Sequence, residues 1–555
     1  MKKIKIVCLA AVIFFSIGLS LAQSSNEPID AEAIKPPPRN VKDILLLVEQ
    51  TKPDLVQANK AKKIIEISPP STQNVEELNA FYSRRGKAYQ YLGQMNLAIE
   101  DMKLAVDKYP SSDPKHYFRD LDDLGVYEIL GGKNTSATLA FEKALEFRRA
   151  KLPNLNGLDM TVQRQLITAL SSSGDFDKAK VSLANMENIL QSLKRSPAYS
   201  KFGSDWESQF ESARGVFFYH QGQWVESERA LRKAINTLKT NYEKVKKSAG
   251  KVDELDSEGR VEIDSTNSTR GLITQQISRQ NNLALVLLQQ RKLIDAEYFS
   301  REATKLSLEI FGRSSTDTGR SLITLARVVN EQGRPAEAVL LSQAALASLK
   351  EGGAAPDSIA LAQARRALAK ALVADKKYSQ ADKVFEEMLA GIKLDPVLAQ
   401  GFKSEDLDWV LAMLKVGKVS QAQAMAADLY AKTVKAAGKG SSELAMIEAF
   451  EAITYQQQAK WAEASRLYKL AIPALIGQAR NDTENDTESV RQHQLMTFVL
   501  EGYLQFLAHN AISDPALSDA SAAEAFQIAD IARGSGVQRA LTASAARANI
   551  KDPQL

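Results

Sequence analysis

Cysteine and histidine are almost missing from this chain: one and four residues respectively in 555. Cys8 lies inside an apolar run near the amino terminus, so removal of that run would leave no disulfide, thiol nucleophile or cysteine-based metal site. His116, His220, His493 and His509 are scattered, without the spacings that metal ligands require. No glycine-rich phosphate loop follows a strand pattern, and no Gly-x-Ser-x-Gly elbow occurs. Paired acids such as Glu386 and Glu387 are adjacent on a helical pattern and therefore point apart. No catalytic constellation, metal site or cofactor site is expected. One-sided charge is lacking too. With 71 basic and 67 acidic side chains the formal charge is +4, and three of the lysines stand in the first five residues. The remainder is close to neutral and carries no basic patch interleaved with aromatics, which argues against a nucleic-acid partner.

What is present begins with Lys2, Lys3 and Lys5, followed by the apolar run from Ile6 to Leu21. Ser20-Leu21-Ala22 then places small residues where a signal peptidase reads them, so residues 1–22 are expected to be a secretory signal peptide of bacterial type, cleaved before Gln23. The alternative is an uncleaved anchor, for which the run is short against the ~20 residues of a span. No other stretch is apolar enough to cross a membrane, so after cleavage no stable span is expected. The chain is expected to be exported, to the periplasm or beyond. Residues 23–40 are polar, contain Pro36-Pro37-Pro38 and predict an extended linker. From Val41 to Ile67 the apolar periodicity predicts two helices, the second beginning near Pro53.

The organising stretch is Asn79 to Pro110. With Asn79 as position 1, Tyr82 stands at 4, Gly86 at 8, Tyr89 at 11, Gly93 at 15, Ala98 at 20, Met102 at 24, Ala105 at 27 and Pro110 at 32. Two antiparallel helices pack closely only where small residues meet at the crossing. Gly86 and Ala98 supply that contact, Tyr89 and Met102 fill the space beside it, and Gly93 suits the turn. One such hairpin cannot bury its apolar faces alone, so copies should follow. The small residue at position 20 recurs at Ala137, Ala179, Ser227, Ala296, Ala338, Ala381, Ala422 and Ala464, most steps lying near 42 residues.

This pattern resembles the tetratricopeptide repeat (TPR), a helical hairpin that stacks into a right-handed superhelix. The resemblance implies an all-α solenoid of about nine hairpins over residues 41–478, closed by carboxyl-terminal helices over 490–555. Asn281-Asn282-Leu283-Ala284, Asp295-Ala296-Glu297 and Leu308-Glu309-Ile310-Phe311-Gly312 are similar to the 42-residue TPR subtype of kinesin light chains, although Ser315-Thr316 stand where that subtype has His-Pro. A second resemblance runs from Glu524 to Leu541, which looks like the segment joining TPR arrays to CHAT domains, a caspase-like peptidase fold using a His/Cys dyad. It implies an alternative: the regulatory TPR portion of a truncated or split CHAT protein.

Two spacings break the rhythm. Residues 239–270 form a charged insertion, expected to extend the preceding helix and then run as a solvated loop. Residues 479–489, containing Asn481-Asp-Thr-Glu-Asn485-Asp-Thr-Glu488, predict an acidic loop without the glycine and terminal glutamate of a calcium loop. TPR proteins bind proteins or peptides on the concave face, where positions 5, 9, 12 and 13 of each first helix point. By that resemblance the candidate groove residues are Lys87, Tyr91, Tyr219, His220, Asn281, Arg327 and Asn330. Polar groups with scattered aromatics suit an extended peptide, or else simply solvate the inner face. The expectation is a non-catalytic scaffold for a protein or peptide partner, with oligomeric state open.

Overall fold

The computed structural model describes residues 36–52, 55–153, 155–248, 269–393, 406–437, 442–485 and 490–529, all within one compact unit that begins at Pro36. Residues 1–35, which hold the expected signal peptide and most of the expected linker, lie outside them. Two leading helices, α1 (Lys42–Gln50) and α2 (Leu55–Ile65), precede nine hairpins of antiparallel helices. The hairpins are α3 (Val75–Tyr91) with α4 (Met95–Lys103), α5 (Pro114–Leu130) with α6 (Asn134–Lys151), and α7 (Leu158–Ser172) with α8 (Phe176–Leu193). Next come α9 (Tyr199–His220) with α10 (Trp224–Ser248), α11 (Thr269–Gln289) with α12 (Leu293–Phe311), and α13 (Thr316–Glu331) with α14 (Pro335–Glu351). The last three are α15 (Ile359–Ala374) with α16 (Tyr378–Ile392), α17 (Leu407–Lys415) with α18 (Val419–Ala437), and α19 (Ser442–Gln457) with α20 (Trp461–Asn485). Helix α21 (Val490–Ser513) covers the end, followed by a short turn, Pro515–Leu517, and a helix over 518–529. Among the described residues there is no strand, and no helix is long and apolar enough to cross a membrane. The architecture is an all-α TPR-like solenoid.

The position-20 residues explain why each hairpin closes. Ala98, Ala137, Ala179, Ser227, Ala296, Ala338, Ala381, Ala422 and Ala464 are all fully buried. Opposite them, twelve residues earlier, stand glycine or alanine in seven hairpins, but Ile167 and Val410 in the third and eighth. The fit is tight. A Cβ on Gly125 would lie 2.5 Å from the ring of Phe141, and one on Gly215 would lie 2.5 Å from Cγ of Leu231. Ser227 uses its hydroxyl at the same crossing, donating to the carbonyl of Gly215 at 2.7 Å.

The turns share one geometry. In every hairpin the residue at position 15 has positive φ, and the amide of position 16 donates back to the carbonyl of position 11, as in Arg334 to Val329. This backbone pattern caps the orphan carbonyls of the first helix. Glycine occupies position 15 in six hairpins, but Arg291, Lys376 and Ala459 hold it in the fifth, seventh and ninth at φ 61, 60 and 57°.

Neighbouring hairpins are joined by a repeated polar contact. The position-21 side chain of one receives positions 14 and 16 of the next. Glu228 accepts from Gln290 at 2.9 Å and Lys292 at 2.6 Å. Glu297 accepts from Gln332 at 2.8 Å and Arg334 at 3.0 Å. Asp382 accepts from Lys418 at 2.5 Å, and Gln423 from Gln458 at 2.8 Å.

Two placements differ from the sequence-based expectation. First, residues 36–40, expected to be part of a free linker, are held down. Arg301 donates to the carbonyls of Pro38 and Asn40 and to the carboxylate of Asp43, and Glu337 accepts from the amide of Val41 at 2.9 Å. Helix α1 consequently packs on α12 and α14, not on its sequence neighbours. Second, α20 continues to Asn485, so the acidic repeat begins on a helix; residues 486–489 lie outside the described residues. As expected, the charged insertion extends the preceding helix: α10 runs to Ser248 and α11 starts at Thr269, while 249–268 lie outside the described residues. Of the segment that resembles the CHAT junction, 530–541 also lie outside the described residues.

Candidate functional site: the cavity on the inner face

The first helices of hairpins three to seven turn residues at positions 2, 5, 6 and 9 toward a common space, to which the second hairpin adds Val126, Ile129 and Leu130 and the first adds Gln90. The chain closes round it because the first hairpin meets the connection after the sixth. Asn96 donates to Asp357 at 3.1 Å, and Gly93 lies so near Ala354 that an added Cβ would sit 3.2 Å from its Cα. The partly open cavity so formed measures about 920 Å³.

Its wall has two characters. Val126, Ile129, Leu130, Val216, Leu285 and Ile323 make an aliphatic side. Arg164, Arg279, Arg320, Arg327, Arg366 and Lys370 make a cationic one, against one lining carboxylate among the described residues, that of Asp317. Among the described residues no aromatic lines the space. Two of the cations are paired with a buried acid. Arg366 donates to Asp406 at 2.7 Å, and Lys370 lies 3.2 Å from the same carboxylate. Burial acts to raise the pKa of Asp406, but Lys370, Arg366 and Arg491 overcome it and hold the group at about 2.

The other four arginines have no carboxylate within salt-bridge distance among the described residues. Arg279 is only 2% exposed, and its Nη1 lacks a hydrogen-bond partner while Nη2 donates to Gln275 at 2.8 Å. Burial, and then the like charge of Arg164, pull its pKa down to about 9. Arg164 has an unpartnered, buried Nε, and burial lowers its pKa also. The nearest compensating acids are poor anions. Burial and Asp123 push Asp122 up to about 7, and burial raises Asp205. Arg327 projects freely into the cavity, yet the surrounding protein still desolvates it and lowers its pKa.

The seven residues selected by sequence are distributed unevenly. Asn281 and Arg327 line the cavity. Asn281 donates to Ser321 at 3.0 Å and leaves its carbonyl oxygen unpartnered, as does Asn330 at the end of α13. Lys87 pairs with Asp123 at 3.3 Å, Tyr91 packs with Leu92 and Ala88, and Tyr219 stacks edge-on to His220 and Trp224. His220 also lies 3.3 Å from Ser172. None of these four lines the cavity. Positions 5 and 9, applied to the third and seventh hairpins, would have found Arg164, Arg366 and Lys370. Arg279 at position 3 and Arg320 at position 2 carry no such signal. Among the described residues no cluster of three or more His, Cys, Asp or Glu side chains is placed to hold a metal.

The family model of the tetratricopeptide repeat matches residues 277–351, the fifth and sixth hairpins. Among solved structures, the Podosopora anserina putative kinesin light chain nearly identical TPR-like repeats are 18% identical, with a TM-score of 0.30, covering 38% of this chain and 97% of theirs. A substituted form of the same repeats is 17% identical at the same TM-score, covering 38% and 98%. A human IFIT1 dimer with m7Gppp-AAAA is 12% identical, with a TM-score of 0.33, covering 91% of this chain and 99% of that one. No curated protein sequence matches the chain.

Proposed function

From the premise that this chain carries tetratricopeptide repeats, whose general role is protein interaction, we propose that it is a non-catalytic exported scaffold holding a protein or peptide partner on its inner face. The observation that carries this reading is the continuous lining of that face by the first helices of seven successive hairpins. Asn281, Asn282, Gln90, Gln165 and Gln363 supply the amide groups that an extended peptide backbone needs. Export rests on the Lys-rich start and the Ser20-Leu21-Ala22 site. The test places a photo-crosslinker at Gln363 on the inner face and another at Leu340, exposed on the second helix α14. Capture of one defined partner from Gln363 and not from Leu340 is expected. Equal capture from both positions refutes the assignment of the face. Mass spectrometry of the native protein is expected to find Gln23 at the amino terminus; an intact Met1 refutes export by cleavage.

A further inference from the structure

We propose that the inner cavity is a site for a small, multiply charged oxyanion of the polyphosphate or polycarboxylate class. Three observations lead there. The first is unmatched charge. Arg164, Arg279, Arg320 and Arg327 face one space without a carboxylate in salt-bridge range among the described residues. Cations brought together out of water repel strongly, and a guanidinium left without acceptors carries its full desolvation cost. Arg279 in particular lines the cavity while buried, with one nitrogen unpartnered. A bound oxyanion relieves both costs at once, since guanidinium groups grip phosphate or carboxylate through paired hydrogen bonds.

The second observation is size. A space of about 920 Å³ falls in the range of ~300–1,000 Å³ typical of small-molecule sites. It excludes a folded domain. The third is the absence of aromatics from the lining among the described residues. Proteins that hold single-stranded nucleic acid or nucleobases stack them on aromatic faces, and this cavity offers none. Its uncharged wall is aliphatic and amide-bearing, which fits a compact anion without rings. The supply of cations is also graded. Arg366 and Lys370 stay paired with Asp406, and Lys370 also lies 3.6 Å from Asp408, so the ligand draws chiefly on the four remaining arginines.

The proposal concerns the same inner face as the partner reading but stands independently of it: small anions bind or fail to bind whether or not a partner protein is captured. Isothermal titration of the full mature chain would use tripolyphosphate and citrate as probes, with hexaglutamate and a single-stranded oligonucleotide as competitors. Saturable one-to-one binding of tripolyphosphate or citrate is expected, weakening as salt rises and accompanied by a raised melting temperature. Which of the two binds more tightly assigns phosphate or carboxylate as the source. Arg327→Gln, whose side chain points into open cavity space, is expected to lower affinity about tenfold or more. It should leave the ligand-free melting temperature no lower than wild type. Absence of saturable binding for both small anions overturns the proposal. So does unchanged affinity in Arg327→Gln combined with Arg279→Gln, or tight binding of only the peptide or only the oligonucleotide.

Discussion

Arg301 ties the amino-terminal segment to the middle of the solenoid, and replacing it should release that segment without unfolding the rest. The side chain is 2% exposed. Its Nη1 donates to both oxygens of Asp43 at 2.7 and 2.9 Å, its Nη2 to the carbonyl of Asn40 at 2.7 Å, and its Nε to Glu297 at 2.8 Å. Breaking a buried ion pair costs ~3–5 kcal/mol when the surviving charge is stranded. Neither carboxylate here is stranded. Asp43 is 40% exposed and rehydrates, while Glu297 keeps Arg334 and Gln332. The lost bonds to Asp43 and the two backbone carbonyls are therefore worth about 2–3 kcal/mol. What remains to hold α1 is the burial of Val41 and Ile44, each contributing ~1.5–3 kcal/mol, and the bond from the Val41 amide to Glu337. Arg301→Met keeps the apolar stem in place. At about 1.4 kcal/mol per decade, local opening of α1 should rise roughly 30- to 150-fold. Hydrogen exchange read by mass spectrometry would compare residues 42–50 with residues 316–331 as an internal reference. Faster exchange in the first with no change in the second is expected. Unchanged protection over 42–50 would refute the idea that Arg301 holds this segment.

Other consequences concern the repeat register, the turns and pH. Ala338→Glu places a charge at the fully buried crossing of α13 and α14 and should cost several kcal/mol; an unaltered melting curve would count against the register. Ala459→Gly relieves an exposed alanine at φ 57° and should stabilise by ~0.5–1 kcal/mol, measurable by urea denaturation, with no gain sinking the strain argument. Asp122 has its carboxyl raised from an ordinary 3.8 to about 7, so its contribution to stability is present below the ordinary value and lost as pH rises through 7. The melting temperature of Asp122→Asn should therefore fall less between pH 5 and pH 8 than that of wild type. Identical pH slopes would show that Asp122 is not held neutral by burial.

How far the sequence could be read follows from the range of the forces involved. A hairpin is specified by steric matching between residues about twelve apart and by one turn residue, so Gly86 with Ala98, or Ala326 with Ala338, are visible as a repeating pair. All nine position-20 residues are buried because that constraint is local and recurs in each copy. The turn was only partly legible. Arg291, Lys376 and Ala459 adopt the same left-handed conformation as the glycines because the capping bonds of both helices impose it, whatever the residue. The binding surface was less legible still. Asn281 and Arg327 follow from helix position, but Arg279 and Arg320 line the cavity only because the rotation accumulated over successive hairpins carries their helices round to one space. The same accumulation brings Asn96 against Asp357 and sets Asp43 beside Arg301, pairs 261 and 258 residues apart. No periodicity encodes such contacts. They depend on the sum of many small packing angles, which exists only once the whole array has stacked.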